Sequence, residues 1–548
     1  MATVTGSDIL ARALKAQGVD TLFYIMGGPM LETEAAMIAL GIRAIDTRHE
    51  QSAAMEAHAH ARLTRRPGVC MGASGPGATN LLTGVANAWV DAAPLVAIGG
   101  SSPAVQHGMD AFQEIDQVGV FKPVTKWAHR ILDARRIPEL VGAAFRQATS
   151  GRPGPVYLDL PGDILHDELD DAGVTYPPAW KPAPRTLGDP AAVTEAIGLL
   201  SRAERPLVIG GSGVWWSDGA SAFRAFVEAS GIPFYTTPLS RGTVPEDHPL
   251  SFLNARARAF GEADVILVVG TRLNYVIQFL RAPRFAAGLK VIQVDVEPTE
   301  LGHNRPADVP IAGDARAVLE QLTAESKGRL DPKTYAAWVA KLRVLDAEKQ
   351  AEMDKAMSRD ETPIHPLRLC KEVRDFLRRD AILVVDGQEI LNFGRQSIPT
   401  FVAGHRLNSG PFGCMGVGLP FGIGAKVARP DAQVLVLHGD GSFGINAMEI
   451  DTAVRHRIPV VVVISNNGGW TADAPWGVPA PKPGRNLGFT RYDRVAMELG
   501  AHGEFVETPL DVRPALERAF ASGKPAVVNV ITDPKARATT VRFSAYQT

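Results

Sequence analysis

Cysteine is scarce in this chain: 548 residues hold three, Cys70, Cys370 and Cys414. They lie far apart without the paired spacing of a metal site. That excludes a disulfide scaffold and suits a reducing compartment. No apolar stretch is long enough to span a bilayer, and the N-terminus lacks a basic region followed by an apolar run. The expectation is a cytoplasmic protein with no membrane partner. An excess of one charge is also missing. Lys and Arg number 57 against 59 Asp and Glu, a formal charge of −2. No global basic field exists, which argues against nucleic acid as a partner. What is present is an ordinary globular composition, 45% apolar and 21% charged, in a chain long enough for two to four domains.

Short apolar runs alternate with helical patterns along the whole length. Runs at 21–25, 41–45, 68–71, 95–98 and 155–160 read as strands of a first unit. Those at 206–210, 234–237, 264–269 and 290–294 mark a second, and a third begins near Pro366. Strands alternating with helices predict parallel sheets covered on both faces. The predicted fold is α/β, with three doubly wound domains at 1–172, 191–347 and 366–548. A Pro-rich extended connector at 173–190 and a helix with linker at 348–365 join them. Gly210-Gly211-Ser212-Gly213 lacks the full dinucleotide fingerprint and reads as a structural turn.

The third unit carries the most informative pattern. Gly439-Asp440-Gly441-Ser442 follows the apolar run 434–437, and Asn466-Asn467-Gly468-Gly469 follows the run 459–464. Either fragment alone is an ordinary turn. At the ends of two buried strands, in this order, they supply hard oxygen ligands beside glycines that admit a phosphate. Mg²⁺ takes few protein ligands and shares its octahedron with phosphate oxygens. The expected anchor puts Asp440, the Asn467 side chain and the Gly469 carbonyl on the cation. Gly441 and Ser442 then meet a diphosphate at a helix start.

This interval resembles the signature of the thiamine diphosphate (ThDP) enzyme superfamily, and other stretches agree with it. In the family a Glu in the position of Glu50, in Arg48-His49-Glu50-Gln51, shares a proton with N1′ of the aminopyrimidine and so activates the thiazolium. An apolar setting suits such sharing. Residues 74–80 (Ser-Gly-Pro-Gly-Ala-Thr-Asn) resemble the pyrimidine-domain loop. Residues 410–420 resemble the stretch that holds the cofactor bent. There Met415 would be the supporting side chain, and the Gly413 carbonyl an acceptor for the 4′-amino group. Asp386-Gly387-Gln388-Glu389 falls where relatives contact diphosphate and substrate, which implies Gly387 and Gln388 for the cofactor. Without the His-Glu-x-x-His pattern, His58 and His60 read as packing or surface residues.

Within the superfamily, Gly469 after Asn-Asn-Gly resembles the 2-hydroxyacyl-CoA lyase and oxalyl-CoA decarboxylase branch. Phe112-Gln113 departs from the Tyr-Glu pair of the decarboxylases and is similar to both the lyases and acetolactate synthases. The resemblance implies cleavage of a 2-hydroxyacyl-CoA, such as 2-hydroxyisobutyryl-CoA, to formyl-CoA and a ketone or aldehyde. An acetolactate-synthase-like carboligase and an oxalyl-CoA decarboxylase are the alternatives. Gln113 would position an oxygen of the substrate, and the cofactor imine and Glu389 are the candidate bases. His49, Phe112 and Trp470 are candidates near the substrate, and Arg395 and Arg406 for CoA phosphates. Trp470 and the Pro-rich stretch to 483 look like a lid. The C-terminal segment 535–548 is a second candidate cover. In relatives the cofactor lies between two chains, so a homodimer is the implied minimal unit and a homotetramer is compatible.

Overall fold

The computed structural model describes residues 3–182, 184–470 and 484–538. Three parallel sheets are the framework. The first has six strands in the spatial order Arg43–Asp46, Thr21–Tyr24, Gly68–Gly72, Leu95–Ser101, Pro155–Pro161 and Trp127–Arg130. The second has five: Phe234–Thr236, Pro206–Gly210, Val265–Val269, Lys290–Asp295 and Val309–Ala312. The third has six: Arg406–Leu407, Ile382–Asp386, Val434–Gly439, Val461–Asn466, Ala526–Ile531 and His502–Val506. Central strands such as Val265–Val269 and Val461–Asn466 are buried along their whole length. Helices cover both faces, as a parallel sheet demands. The α/β architecture with three domains is the one expected.

Details differ from the expectation where the chain is polar or long. Trp127–Arg130 and His502–Val506 are edge strands whose half-exposed residues carry no continuous apolar run, and the edge strand Val309–Ala312 is only four residues long and interrupted by Pro310. The helix Ala336–Met357 runs unbroken through position 347. The step placed there between central domain and linker therefore falls inside one element. Residues 174–182 and 184–189 hold no helix or strand, as the Pro-rich composition implies.

The first and third domains share a core. Helix Glu50–Thr64 packs on helix Gly418–Ala428, and Ala53, Ala57, Phe421 and Ile423 belong to one buried cluster. The approach is close because Gly424 has no side chain: a Cβ there would stand 2.2 Å from the Glu56 carbonyl oxygen. The central domain has its own core and is stapled to the third by a buried ion pair. Arg241 donates to Glu246 Oε1 at 2.6 Å and to the Ile398 carbonyl at 2.9 Å, and Glu246 accepts the Thr400 N–H at 2.7 Å. Among the described residues no helix is long and apolar enough to cross a membrane.

Candidate active site

Strands Ile382–Asp386, Val434–Gly439 and Val461–Asn466 are neighbours in register, with Asp386 beside His438 and Gly439 beside Ser465. Their C-terminal ends therefore bring residues 387–389, 440–442 and 467–469 around one small cavity. Asp440 is buried, and burial pushes its carboxyl up to about 6. Its Oδ2 has no hydrogen-bond partner. With its amide oxygen turned inward, Asn467 faces the Gly469 carbonyl oxygen at 2.8 Å and Asp440 Oδ1 at 3.1 Å. Three oxygens that close, with no proton between them, repel unless a cation sits among them. With the amide nitrogen inward, Asn467 donates to the same two atoms. The three residues expected on a metal thus converge, and their oxygen donors fit Mg²⁺. Gly469, at φ +151°, lies so close to Arg485 that a Cβ would meet the Arg485 carbonyl oxygen at 2.0 Å.

Gly387 and Gln388 form the opposite wall, and Gln388 precedes the helix Glu389–Ser397. Ser442 is buried, donates its hydroxyl to the Gly439 carbonyl at 3.1 Å, and contacts His438 Nδ1 at 2.9 Å. Trp470 lies over Gly441 and narrows the cavity. Trp470 thus belongs to the Asp440 cavity and is not among the residues lining the larger cleft. The remainder of its expected lid, 471–483, lies outside the described residues, as do 539–548 of the C-terminal cover.

The turn carrying Gly413 (φ +70°) and Met415 is fastened from three domains. Asp386 Oδ2 accepts the Gly418 N–H at 2.9 Å and Asn446 donates to the Gly416 carbonyl at 2.8 Å. From the central domain, the Tyr275 hydroxyl donates to the Pro411 carbonyl at 2.7 Å. From the first domain, Asp91 sits against Gly410, where a Cβ would approach its Oδ1 to 1.9 Å. Asp91 belongs to a buried group with Arg62 (3.0 Å) and His58 (3.2 Å). His58 is therefore a packing residue, and no signal along the chain pairs Asp91 with Gly410.

Glu50 is the first residue of its helix, capped by His49, whose Nδ1 accepts the Gln51 N–H at 3.1 Å. Glu50 is buried and accepts from Asn80 at 3.0 Å. It lines neither the Asp440 cavity nor the larger cleft beside it. Gln113, held at φ +59°, takes the Ser74 hydroxyl on Oε1 at 2.6 Å. Its amide N–H₂ takes no part in that bond. Phe112 beside it is 84% exposed.

Glu389 and Met415 also line a second cavity of about 2200 Å³ walled by all three domains, with Arg65 and Arg152 contributed by the first. Glu389 Oε2 accepts the Ala538 N–H at 2.8 Å. Arg395 lines this cleft together with Arg256 and Arg284, two residues the sequence gives no reason to single out. None of the three has a carboxylate at ion-pair distance among the described residues. Burial, Arg256 and Arg241 together push Arg395 down to about 10. Arg406 corrects an expectation. It is only 2% exposed, has Nε and Nη2 without a partner among the described residues, and is not among the residues lining the cleft. Gly211 and Gly213 pack on the turn at Gly270 and Thr271, where Cβ atoms would meet backbone within 2.3 to 2.7 Å. Close packing of two turns explains these glycines.

Comparison with known proteins bears on the family and its three domains. Models of the thiamine pyrophosphate enzyme N-terminal TPP-binding domain, central domain and C-terminal TPP-binding domain match residues 4–120, 193–322 and 393–530. A probable acetolactate synthase of Mycobacterium bovis is 40% identical, covering 97% of this chain and 96% of its own. An oxalyl-CoA decarboxylase of Escherichia coli is 37% identical over 97% and 95%. The human 2-hydroxyacyl-CoA lyase 1 is 34% identical over 97% and 95%.

Proposed function

Because the chain belongs to the thiamine pyrophosphate enzyme family, we propose that it is a 2-hydroxyacyl-CoA lyase. It would cleave a short substrate such as 2-hydroxyisobutyryl-CoA to formyl-CoA and a ketone or aldehyde. Identities of 34 to 40% to three activities do not choose among them. The observation that carries the choice is the cleft of about 2200 Å³, lined by Arg256, Arg284 and Arg395 and sharing the wall Gly387–Glu389 and Met415 with the metal cavity. Unpaired guanidinium groups suit the phosphates of CoA. The shared wall would present a thioester to the cofactor.

Bound thiamine diphosphate supplies a nucleophilic carbon that stores the electron pair of the broken bond. The chain's own residues do the rest. Asp440, Asn467 and the Gly469 carbonyl would hold Mg²⁺ on the diphosphate, with Gly441, Ser442, Gly387 and Gln388 around it. Gly413 and Met415 would seat the aminopyrimidine, and Glu50 would hold the proton shared with its N1′. Gln113, with Oε1 occupied by Ser74, would donate to a substrate oxygen and so position it rather than take a proton. The reaction breaks the C1–C2 bond. The 2-hydroxyl proton departs as the carbonyl product forms, and a proton adds to C1 to give formyl-CoA. Glu389, on the shared wall with one carboxylate oxygen on Ala538, and the cofactor's own imine are the two candidates to take that hydroxyl proton.

Glu50 stands away from the Asp440 cavity of its own chain. A second copy would bring its Glu50 and Gln113 to this metal site, making a homodimer the minimal unit and a homotetramer compatible. Exposed Phe112, Val105 and Met109 near Gln113, and Ile445, Met448 and Phe412 near Met415, supply apolar surface for that contact. A carboligase acting on pyruvate is the second reading, favoured by the 40% identity to an acetolactate synthase. Incubation with Mg²⁺, ThDP and 2-hydroxyisobutyryl-CoA should yield formyl-CoA by mass spectrometry. Acetolactate from pyruvate with no formyl-CoA would reverse the choice.

A further inference from the structure

His438 is buried at the end of strand Val434–Gly439, two residues before Asp440. Its two ring nitrogens have different partners. Nε2 accepts the Leu419 N–H at 3.2 Å, so it carries no proton. The neutral ring must then hold its proton on Nδ1, which faces Ser442 Oγ at 2.9 Å. A donor on Nδ1 makes Ser442 Oγ the acceptor of that bond. The serine's own hydroxyl proton is directed elsewhere, to the Gly439 carbonyl at 3.1 Å in this structure. Gly418 allows the arrangement, since a Cβ there would stand 2.4 Å from Nε2.

We infer that His438 is a positioning residue for the cofactor diphosphate. It holds Ser442 Oγ from behind, so that the serine hydroxyl is offered as a donor to a phosphate oxygen. Through Leu419, the first turn of helix Gly418–Ala428, the same ring ties the phosphate end of the site to the turn carrying Met415. Nothing in the motif around Asp440 requires histidine at this position. The assignment comes from the two hydrogen bonds and not from spacing. It rests on the family's cofactor and is independent of the acyl-CoA reading.

The test is ThDP affinity by calorimetry at saturating Mg²⁺. His438→Phe and Ser442→Ala should each raise Kd about tenfold, and the double variant no more than about twofold beyond either. The Asn amide nitrogen reaches the place of Nδ1, whereas the Gln amide reaches the place of Nε2. His438→Asn should therefore recover Kd to within about threefold of the parent, while His438→Gln stays about tenfold weaker. If the Phe variant does not fold, the contrast between Asn and Gln decides alone. Additive losses in the double variant, or Gln matching or exceeding Asn, would overturn the inference. A parent enzyme that takes up no ThDP overturns it together with the cofactor assignment, whereas failure of formyl-CoA formation alone does not touch it.

Discussion

The metal cavity and the arginine-lined cleft share Gly387, Gln388, Glu389 and Met415 as a common wall, yet they are built for opposite charges. On one side the buried Asp440 carboxylate and the Gly469 carbonyl oxygen lie within 3.1 Å of the Asn467 amide, which can turn its oxygen inward to complete a set for a cation. On the other, Arg256, Arg284 and Arg395, which have no carboxylate at ion-pair distance among the described residues, line a volume of about 2200 Å³ and suit an anion. The small cavity is over-determined by strand ends in register, while the large cleft is assembled from all three domains, two of them held by the Arg241–Glu246 staple. Reactive chemistry belongs where they meet. A cofactor anchored by its diphosphate on one side must present its reactive end to a substrate anchored on the other.

The largest effect expected falls on neither anchor. Glu50→Ala should lower kcat by about 10³-fold or more while changing the Kd for ThDP less than about fivefold, because the Glu serves proton sharing and not the phosphates. Stopped-flow turnover set against calorimetry separates the two, and full retention of activity would remove the catalytic assignment. Next comes complementation. An equal mixture of Glu50→Ala and Asp440→Ala chains, each inactive alone, should regain about a quarter of parental activity after subunit exchange, since half the dimers then hold one intact site. No recovery after verified exchange would place Glu50 and Asp440 of one chain in the same site.

On the cleft side, Arg395→Glu should raise KM for the acyl-CoA about tenfold, with ThDP affinity unchanged, and added salt should weaken the parent more than the variant. A change in ThDP affinity in place of KM would mean that the two cavities are not separate anchors. The smallest effect concerns Glu56, buried between the first and third domains with both carboxylate oxygens unpartnered. Burial first, then Glu449 and Asp46, raise its pKa well above normal against the opposing pull of Arg455. A carboxyl raised on folding contributes stability below its unfolded pKa and loses it as pH rises toward the folded value. Glu56→Gln should therefore match the parent in Tm near pH 4 and gain a few degrees over it as pH rises to 9. A Tm difference independent of pH would show that Glu56 is ionised in the fold.

The same contrast explains what was legible in the sequence. Residues 439–442 and 466–469 follow unbroken Val, Leu and Ile runs, and parallel strands in register bring such ends together, so the metal cavity follows from order along the chain. Edge strands such as His502–Val506 and the two-residue Arg406–Leu407 lack that apolar signal. Ala526–Ile531 is a buried apolar run that periodicity alone could have found. The cleft was mostly hidden because Arg256, Arg284 and Arg395 come from separate elements, and a charged residue read alone is a surface residue by default. Arg406 shows the reverse error: a basic residue close in sequence to the site is buried and does not line the cleft. Asp91 against Gly410 and His438 against Leu419 depend on tertiary approach, which no local pattern encodes.

Calorimetric titration of the protein with ThDP, with and without Mg²⁺, tests the central claim most directly when repeated on Asp440→Ala. Saturable uptake that needs the metal in the parent, and is lost in the variant, is the result expected of a diphosphate held through Asp440, Asn467 and Gly469. Equal uptake without Mg²⁺, or by the variant, would contradict it.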